Sequence, residues 1–255
     1  MDGARSDPAD LGGASDRPST DALVRSKEPL LRGMGDVHEL IRWGLVVACL
    51  LDAVSEATWR PDEAVRDTTI ALVSALALIL NRRIGAAITA VGLLFTLSTS
   101  HEFLVLSVAA ILAIFPSPKQ LNLLVKVQLT ALWLFAGLAK LGTNFLTGAP
   151  LNRGNVFLID ALPTPLLVWG TILAEAVILP VLLWTRPRLA MWAAIAFQMS
   201  IMIGMSTYAS GKSLDDEISF VTSLWAFGLL TIACVVAVTT FDRRNQDDGA
   251  TQQLH

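Results

Sequence analysis

Long apolar segments alternate with short polar ones from about residue 37 to residue 240. Eight apolar segments cover residues 37–54, 67–80, 84–99, 102–115, 121–141, 163–184, 188–207 and 218–240. A helix needs about 20 residues, and at least about 17, to cross the hydrocarbon core of a bilayer. The pattern predicts an all-α, polytopic transmembrane helix bundle with about eight spans. The second and fourth segments are short, so seven spans, or one helix lying in the membrane interface, is the main alternative.

The two ends of the chain differ from the apolar segments. Residues 1–36 are rich in Asp, Gly, Ser, Pro and Arg and contain no apolar run. They predict a disordered cytoplasmic tail rather than a signal peptide. The transmembrane domain is expected to cover residues 37–241, and residues 242–255 to form a second short cytoplasmic tail.

Composition supports a membrane protein. The chain is 53% hydrophobic and only 16% charged, with a mean hydropathy of +0.57. Soluble domains are about a quarter charged, so the lipid bilayer is the expected surroundings. No basic block is interleaved with aromatic residues, which argues against a nucleic-acid partner. Cys49 and Cys234 lie in apolar runs without metal-ligand spacing and are interpreted as apolar fillers, so no metal site is predicted.

Lysine and arginine indicate an orientation. If the ends and every second loop are cytoplasmic, that side holds Lys27, Arg32, Arg82, Arg83, Lys119, Arg186, Arg188, Arg243 and Arg244. The other side holds Arg60, Arg66, Arg153 and Lys212. By the positive-inside rule this predicts a multi-pass protein of the cytoplasmic membrane with both termini in the cytoplasm.

Ionisable residues at membrane depth are functional candidates, because each costs about 2.5–3.5 kcal/mol on insertion scales. They are His38, Glu39, Arg42, Asp52, His101, Glu102, Lys126, Lys140 and Glu175. Three of them, His38, Glu39 and Lys126, lie near predicted helix starts, where long side chains reach the interface. Water can reach Asp52 near the outer end of the first segment, and Arg42 fits an internal ion pair and snorkelling equally well.

Lys140 stands near the outer end of the fifth segment, after small residues at positions 136, 137 and 139 that let a neighbouring helix approach. A lysine packed there loses hydration and can act as a base, although it can also simply reach the outer interface. The predicted topology places His101 at the same membrane face. Glu175 and Gln198 fall near the middle of their segments, where interhelical hydrogen bonds are expected. For Gln198 a structural role is favoured, whereas Glu175 is also a candidate proton site.

The sequence AGLAKL at residues 136–141, followed by NFLTG at 144–148, resembles a motif of the vitamin K-dependent γ-glutamyl carboxylases. The motif is shared with the wider bacterial group called the horizontally transferred transmembrane (HTTM) domain family. Ser100-His101 is similar to an Asn-His pair of the family, and the sequence RWGL at 42–45 resembles its first helix. Residues 203–208, ending in Tyr208, resemble the end of a later helix. The resemblance covers about residues 41–208.

The resemblance implies a quinol-dependent carboxylase. In that family the matching lysine removes a proton from a reduced naphthoquinone, which reacts with oxygen to give a strong base. That base takes a γ-proton from a peptide glutamate, and carbon dioxide then adds. Lys140 would be the catalytic base and His101 its helper. Arg42, Glu175, Gln198 and Tyr208 would be supporting residues.

Departures from the family pattern shift the interpretation. The large extramembrane substrate domain of the carboxylases is missing, so the chain is expected to be a short bacterial member. Asn144-Phe145 replaces an Asp-Trp pair, Ser100 replaces the asparagine, and a histidine usual in a later helix is replaced at Phe197-Gln198. We therefore interpret the protein first as an accessory or maturation protein for a secreted peptide. The alternatives are a quinol-dependent enzyme of the carboxylase or epoxidase type and a small transporter, for which no inverted repeat is visible.

Overall fold

The computed structural model describes residues 36–59, 64–96, 100–142, 144–148, 163–209 and 214–252, and within these ranges the elements are helical, with no strand. The helices are α1 (Val37–Trp59), α2 (Ala64–Leu80), α3 (Arg82–Thr96), α4 (Ser100–Ile114), α5 (Pro118–Ala139), α6 (Thr164–Leu173), α7 (Leu179–Thr185), α8 (Pro187–Ala209) and α9 (Leu214–Gln252). A π-helical turn, Ala174–Ile178, joins α6 to α7, and two 3₁₀ turns, Lys140–Gly142 and Asn144–Thr147, follow α5. The predicted all-α class is confirmed, and a helix lies at each of the eight apolar segments.

Four helices are long and apolar enough to cross a membrane. They are Pro118–Gly142, Thr164–Thr185, Pro187–Ser206 and Ile218–Asn245. Large apolar side chains on these helices face outward: Phe135 is 69% exposed and Trp192 is 65% exposed. Such a surface suits lipid rather than water, so the structure supports a membrane protein.

Helices α2, α3 and α4 are shorter. They have 17, 15 and 15 residues, which at about 1.5 Å per residue gives lengths of about 23–26 Å. The hydrocarbon core is about 30 Å thick. These three helices are therefore shorter than the thickness of the hydrocarbon core. The segment Glu102–Ile114, within α4, is a short apolar helix.

The packing of α1 against α9 joins the two ends of the helical domain. A Cβ atom on Gly44 would lie 2.6 Å from Cβ of Ala233, so the glycine lets the two helices touch. Near the other end of α1, the hydroxyl oxygen of Ser55 lies 2.9 Å from that of Ser219 and 2.7 Å from that of Ser223. Small residues and hydroxyl hydrogen bonds of this kind hold helices together where both are surrounded by apolar groups.

Helix α9 continues beyond the predicted end of the apolar domain at residue 241. Asp242, which the sequence placed at the start of a polar tail, accepts a hydrogen bond from Asn122 Nδ2 at 2.8 Å. Its other carboxylate oxygen lies 2.6 Å from Lys126 Nζ. These two bonds attach Asp242 to α5. Helix α9 continues beyond Asp242 and ends at Gln252. Residues 1–35 of the expected N-terminal tail lie outside the described residues.

The turn between α2 and α3 brings two backbones together. Asn81 Oδ1 accepts hydrogen bonds from the backbone N–H groups of Arg83 and Ile84, both at 3.1 Å, and so caps the start of α3. One turn later, a Cβ atom on Gly85 would lie 2.3 Å from the backbone nitrogen of Leu78. Only glycine fits this approach without moving a backbone.

Gly85→Ala is therefore expected to destabilise the protein, because the added methyl group must push α2 and α3 apart. Overpacking of this kind costs about 1–3 kcal/mol. The matched control is Gly170→Ala on α6, where an added Cβ meets no atom within 4 Å and the better helix propensity of alanine is neutral or slightly stabilising. Thermal unfolding in one detergent measures both variants. Equal melting temperatures for the two would contradict the close approach at Gly85.

Candidate functional site

Two residues singled out from the sequence meet at the end of α5. The Lys140 ammonium group forms an ion pair with Oε2 of Glu175. It also donates to the backbone oxygen of Ala136 at 3.3 Å and lies 5.5 Å from the ring centroid of Phe145. The Lys140 side chain is 23% exposed and that of Glu175 is 6% exposed. Lys140 thus points at α6–α7 instead of extending freely to the interface.

The π-helical turn lies where α6–α7 meets this lysine. Within it the Leu179 N–H donates to the carbonyl of Ala174, five residues back. Pro180 follows directly and has no N–H to donate to the Ala176 carbonyl, which a regular helix would require. Glu175 belongs to this widened turn, and the residue as a whole, backbone included, is 5% exposed. Single π turns inside α-helices are frequent at functional sites.

A close helix contact supports the ion pair. A Cβ atom on Gly137 would lie 2.8 Å from both the Cβ and the backbone nitrogen of Ala176. Gly137 and Lys140 are three residues apart and so share one face of α5. Of the three small residues expected to allow a close approach, Gly137 is the buried one at this contact. Its missing side chain brings the lysine within reach of the carboxylate.

The structure does not bring every predicted supporting residue to Lys140. Arg42 binds Glu39 Oε2 at 2.9 Å and the Ile79 carbonyl at 3.0 Å, so its partners lie on α1 and α2, in the internal ion pair that was one of its two interpretations. Gln198 is 4% exposed on α8, and its Nε2 has no hydrogen-bond partner among the described residues. The side chains of His101 and Tyr208 lie outside the described part of the structure.

The first turn of α1 carries a set of paired charges. His38, 3% exposed, places Nδ1 3.0 Å from Asp36 Oδ1. Arg82 approaches the carboxylates of Asp36 and Glu39 at 3.9 and 3.8 Å. Burial alone raises the pKa of Asp36, but the hydrogen bonds from His38 and the charges of His38 and Arg82 outweigh it, so the pKa lies below its usual value. The imidazole of His38 is thus packed against the protein and paired with Asp36.

Lys126 is also paired rather than free to snorkel. It is 8% exposed, bonds Asp242 on α9 and lies 4.7 Å from the ring centroid of Trp184. The indole N–H of Trp184 donates to Thr130 Oγ1 at 2.9 Å. Lys126 therefore connects α5 to both α7 and α9.

A second polar centre was not foreseen as a unit. Helices α1, α2, α3 and α4 all line one cavity, through Cys49, Asp52, Glu56, Asp67, Ile70, Ala71, Ser74, Thr89, Leu93, Thr96, Glu102 and Val105. Its four carboxylates, from Asp52, Glu56, Asp67 and Glu102, are each at most 6% exposed. Asp52 is thus buried and not in open water. The spacing of Asp52 and Glu56, which puts both on one face of a helix, is the sequence signal that could have revealed the pair.

No protein-family description, curated protein or solved structure matches the chain. The resemblance to the carboxylase-like family therefore rests on the motif residues alone.

Replacing one member of the Lys140–Glu175 pair is expected to lower the free energy of unfolding more than replacing both. Lys140→Met leaves the nearly buried carboxylate uncompensated, which costs about 3–5 kcal/mol. Glu175→Gln leaves a lysine that is 23% exposed and can turn to water, so its cost is smaller. The double variant Lys140→Met/Glu175→Gln should recover most of the loss. Melting temperatures of the four proteins in one detergent test this order, and a double variant as unstable as Lys140→Met would rule the pairing out.

Proposed function

We propose that this integral membrane protein carries out acid–base chemistry at the Lys140–Glu175 pair. The observation that carries the proposal is the direct contact between an ammonium group and a nearly buried carboxylate at a π-helical turn. Placing ionisable side chains inside a membrane costs free energy. Its position at a distorted turn, beside a glycine that admits the neighbouring backbone, supports a role in function.

The pair has the parts that proton transfer needs. Lys140 can pass a proton to Glu175, and the neutral amine can then take a proton from a weakly acidic group. The lysine is 23% exposed, so a substrate can reach it. The neighbouring ring of Phe145 and the apolar surface of α5 suit a flat, apolar molecule.

A quinol is the substrate class that we propose, following the motif resemblance. A reduced naphthoquinone would supply an acidic hydroxyl group and the oxygen-dependent chemistry that follows its deprotonation. Lys140 would accept the hydroxyl proton. Glu175 would keep the proton that it took from the lysine, and the reprotonated lysine would balance the negative charge of the quinolate. The pair fits such a molecule in chemistry, since an amine base beside a carboxylate is sufficient for this proton transfer.

A second candidate is the accessory protein for a secreted peptide. The observation in its favour is that Lys140 is engaged with Glu175, with the Ala136 carbonyl and with the Phe145 ring at the same time. These contacts also join the end of α5 to α6–α7, which is what a purely structural clamp would do. In this candidate the charge of Lys140 matters and its proton transfer does not.

Lys140→Arg separates the two candidates, because arginine keeps the positive charge but cannot serve as a neutral base. Wild-type protein in detergent, given reduced naphthoquinone and oxygen, is expected to form the quinone epoxide. Lys140→Arg and Lys140→Ala should both lose at least about 100-fold in rate, the usual contribution of a general base. Epoxide yield by chromatography and a melting curve for each variant are the measurements.

Two outcomes would contradict the enzymatic proposal. One is epoxide formation that Lys140→Ala leaves unchanged. The other is wild-type protein that is folded and forms no epoxide, while Lys140→Arg fully complements a gene deletion. The second outcome would favour the accessory candidate.

We also propose that all eight helical segments cross the cytoplasmic membrane, with both termini in the cytoplasm. The distribution of lysine and arginine supports this orientation. The occurrence of a helix at each of the eight apolar segments supports the number of spans. The short helices α2–α4 would then cross a locally thinner bilayer.

Cysteine labelling tests the orientation of α5. The native cysteines are buried, with exposures of 3% and 0%, so background labelling should be low. Gly142→Cys and Lys119→Cys place exposed thiols at opposite ends of α5. A membrane-impermeant maleimide on intact cells is expected to label Gly142→Cys only, and Lys119→Cys only after the cells are opened. The reverse result would invert the topology.

A further inference from the structure

We propose that a basic surface formed by Lys119, Arg186 and Arg188 binds the headgroups of anionic phospholipids. Lys119 lies at the start of α5, and the two arginines lie at the turn between α7 and α8. The proposal does not depend on the chemistry proposed for Lys140, which lies at the other end of α5. In the orientation proposed above, the lipids belong to the cytoplasmic leaflet.

The basic surface lies at the ends of helices that can cross a membrane. Lys119 and Arg188 are each the second residue of such a helix, and Arg186 stands between the end of one and the start of the next. At the end of a membrane-spanning helix a side chain is at the depth of the lipid headgroups. The three cations are therefore placed where lipid phosphates are found.

The contacts of Lys126 show that these helix ends lie side by side. Lys126 Nζ lies 2.6 Å from Asp242 on α9 and 4.7 Å from the ring centroid of Trp184 near the end of α7. Lys119 precedes Lys126 by seven residues, or about two helical turns, so both lie on the same face of α5. Arg186 follows Trp184 by two residues. The cations of the basic surface thus belong to one region of the bundle.

No carboxylate of the described residues balances these three cations. The acidic residues within the four candidate spans are Glu175 and Asp242, and each is already bound to a lysine of α5. All three cations of the basic surface are exposed, and none forms an ion pair in the described part of the chain. Their charge must be balanced from outside these helices.

Two other arginines show the contrasting arrangement. Arg42 binds Glu39 Oε2 at 2.9 Å. Arg82 approaches the carboxylates of Asp36 and Glu39 at 3.9 and 3.8 Å. The protein therefore balances these cations with its own carboxylates, and the basic surface differs from them in leaving this to an external anion.

Apolar side chains beside the basic surface favour a lipid over a free anion. Trp184, Leu189 and Trp192 are 45%, 50% and 65% exposed and lie near the joined ends of α7 and α8. Tryptophan is enriched where the hydrocarbon core meets the headgroups. An acyl chain would contact these side chains, while an arginine would hold the phosphate with two parallel hydrogen bonds.

The end of α9 adds to the positive charge. Arg243 and Arg244 follow Asp242 directly and are exposed. Both have other interactions as well, so the proposal does not rest on them. Their charges strengthen the attraction for an anionic headgroup in the same region.

The test measures lipid binding to the full-length protein in a neutral detergent. Phosphatidylglycerol and phosphatidylcholine with the same acyl chains are titrated separately, and native mass spectrometry gives the Kd of each. One cation at an anionic lipid surface contributes about 1 kcal/mol, or about fivefold in affinity. Wild-type protein is therefore expected to bind phosphatidylglycerol about 100-fold more tightly than phosphatidylcholine.

Neutral variants assign this preference to the basic surface. Arg188→Gln should weaken phosphatidylglycerol binding about fivefold, and Lys119→Gln/Arg186→Gln/Arg188→Gln about 100-fold. Neither should change the Kd of phosphatidylcholine. The matched control is Arg82→Gln, which also removes one positive charge, but one that two carboxylates of the protein balance. It should leave both Kd values unchanged. Melting curves without lipid confirm that each variant is folded.

Three results would overturn the basic surface as a lipid site. The first is wild-type protein that binds the two lipids with equal Kd. The second is a folded triple variant that keeps the preference or, if the triple variant does not fold, an Arg188→Gln protein with the wild-type Kd. The third is displacement of phosphatidylglycerol by inorganic phosphate at the same concentration, which would make a free anion the occupant.

Discussion

A charge inside an apolar helix bundle must be compensated at short range, and this requirement determines where the helices of this protein meet. Desolvation of a single charge costs several kcal/mol, and a partner in contact repays much of it. Helix α5 shows the consequence, because Lys126 and Lys140 are 14 residues apart, or about four turns. Both therefore lie on one face. Lys126 binds Asp242 on α9, and Lys140 binds Glu175 between α6 and α7.

The two parts of the bundle meet this requirement differently. In α5–α9 the helices are long and mostly apolar, and the charges form isolated pairs between neighbouring helices. In the other part, α2–α4 are shorter than α1, and carboxylates from α1, α2 and α4 converge on one cavity. The serine cluster between α1 and α9 and the glycine contact at Gly44 hold these parts together. Both parts expose large apolar side chains, such as Phe95 on α3 and Phe135 on α5, whereas the polar cavity lies among α1–α4.

The periodicity of the sequence was sufficient to locate the helices, because hydrophobic burial acts over whole segments. It also picked out Lys140 and Glu175 one by one. Their contact was not predictable, since it depends on a π-helical turn and on the approach of Gly137 to another backbone. Asp242 was assigned to a polar tail because its partner Lys126 lies far away in the sequence. Glu56 and Asp67 were missed since the hydropathy boundaries left them at segment ends.

The π-helical turn also makes the number of residues between α6 and α7 important for the structure. A π turn has one residue more than the corresponding α-helical turn, and each residue of an α-helix turns the chain by about 100°. The wide turn absorbs that extra residue locally, so the helix keeps one face inward on both sides of it, and Glu175 and Leu183 are both buried. In a regular helix the same extra residue would rotate one half by about 100° and turn either the carboxylate or Leu183 toward lipid. In this helix, therefore, the inward position of Glu175 depends on the number of residues in the turn as well as on their identity.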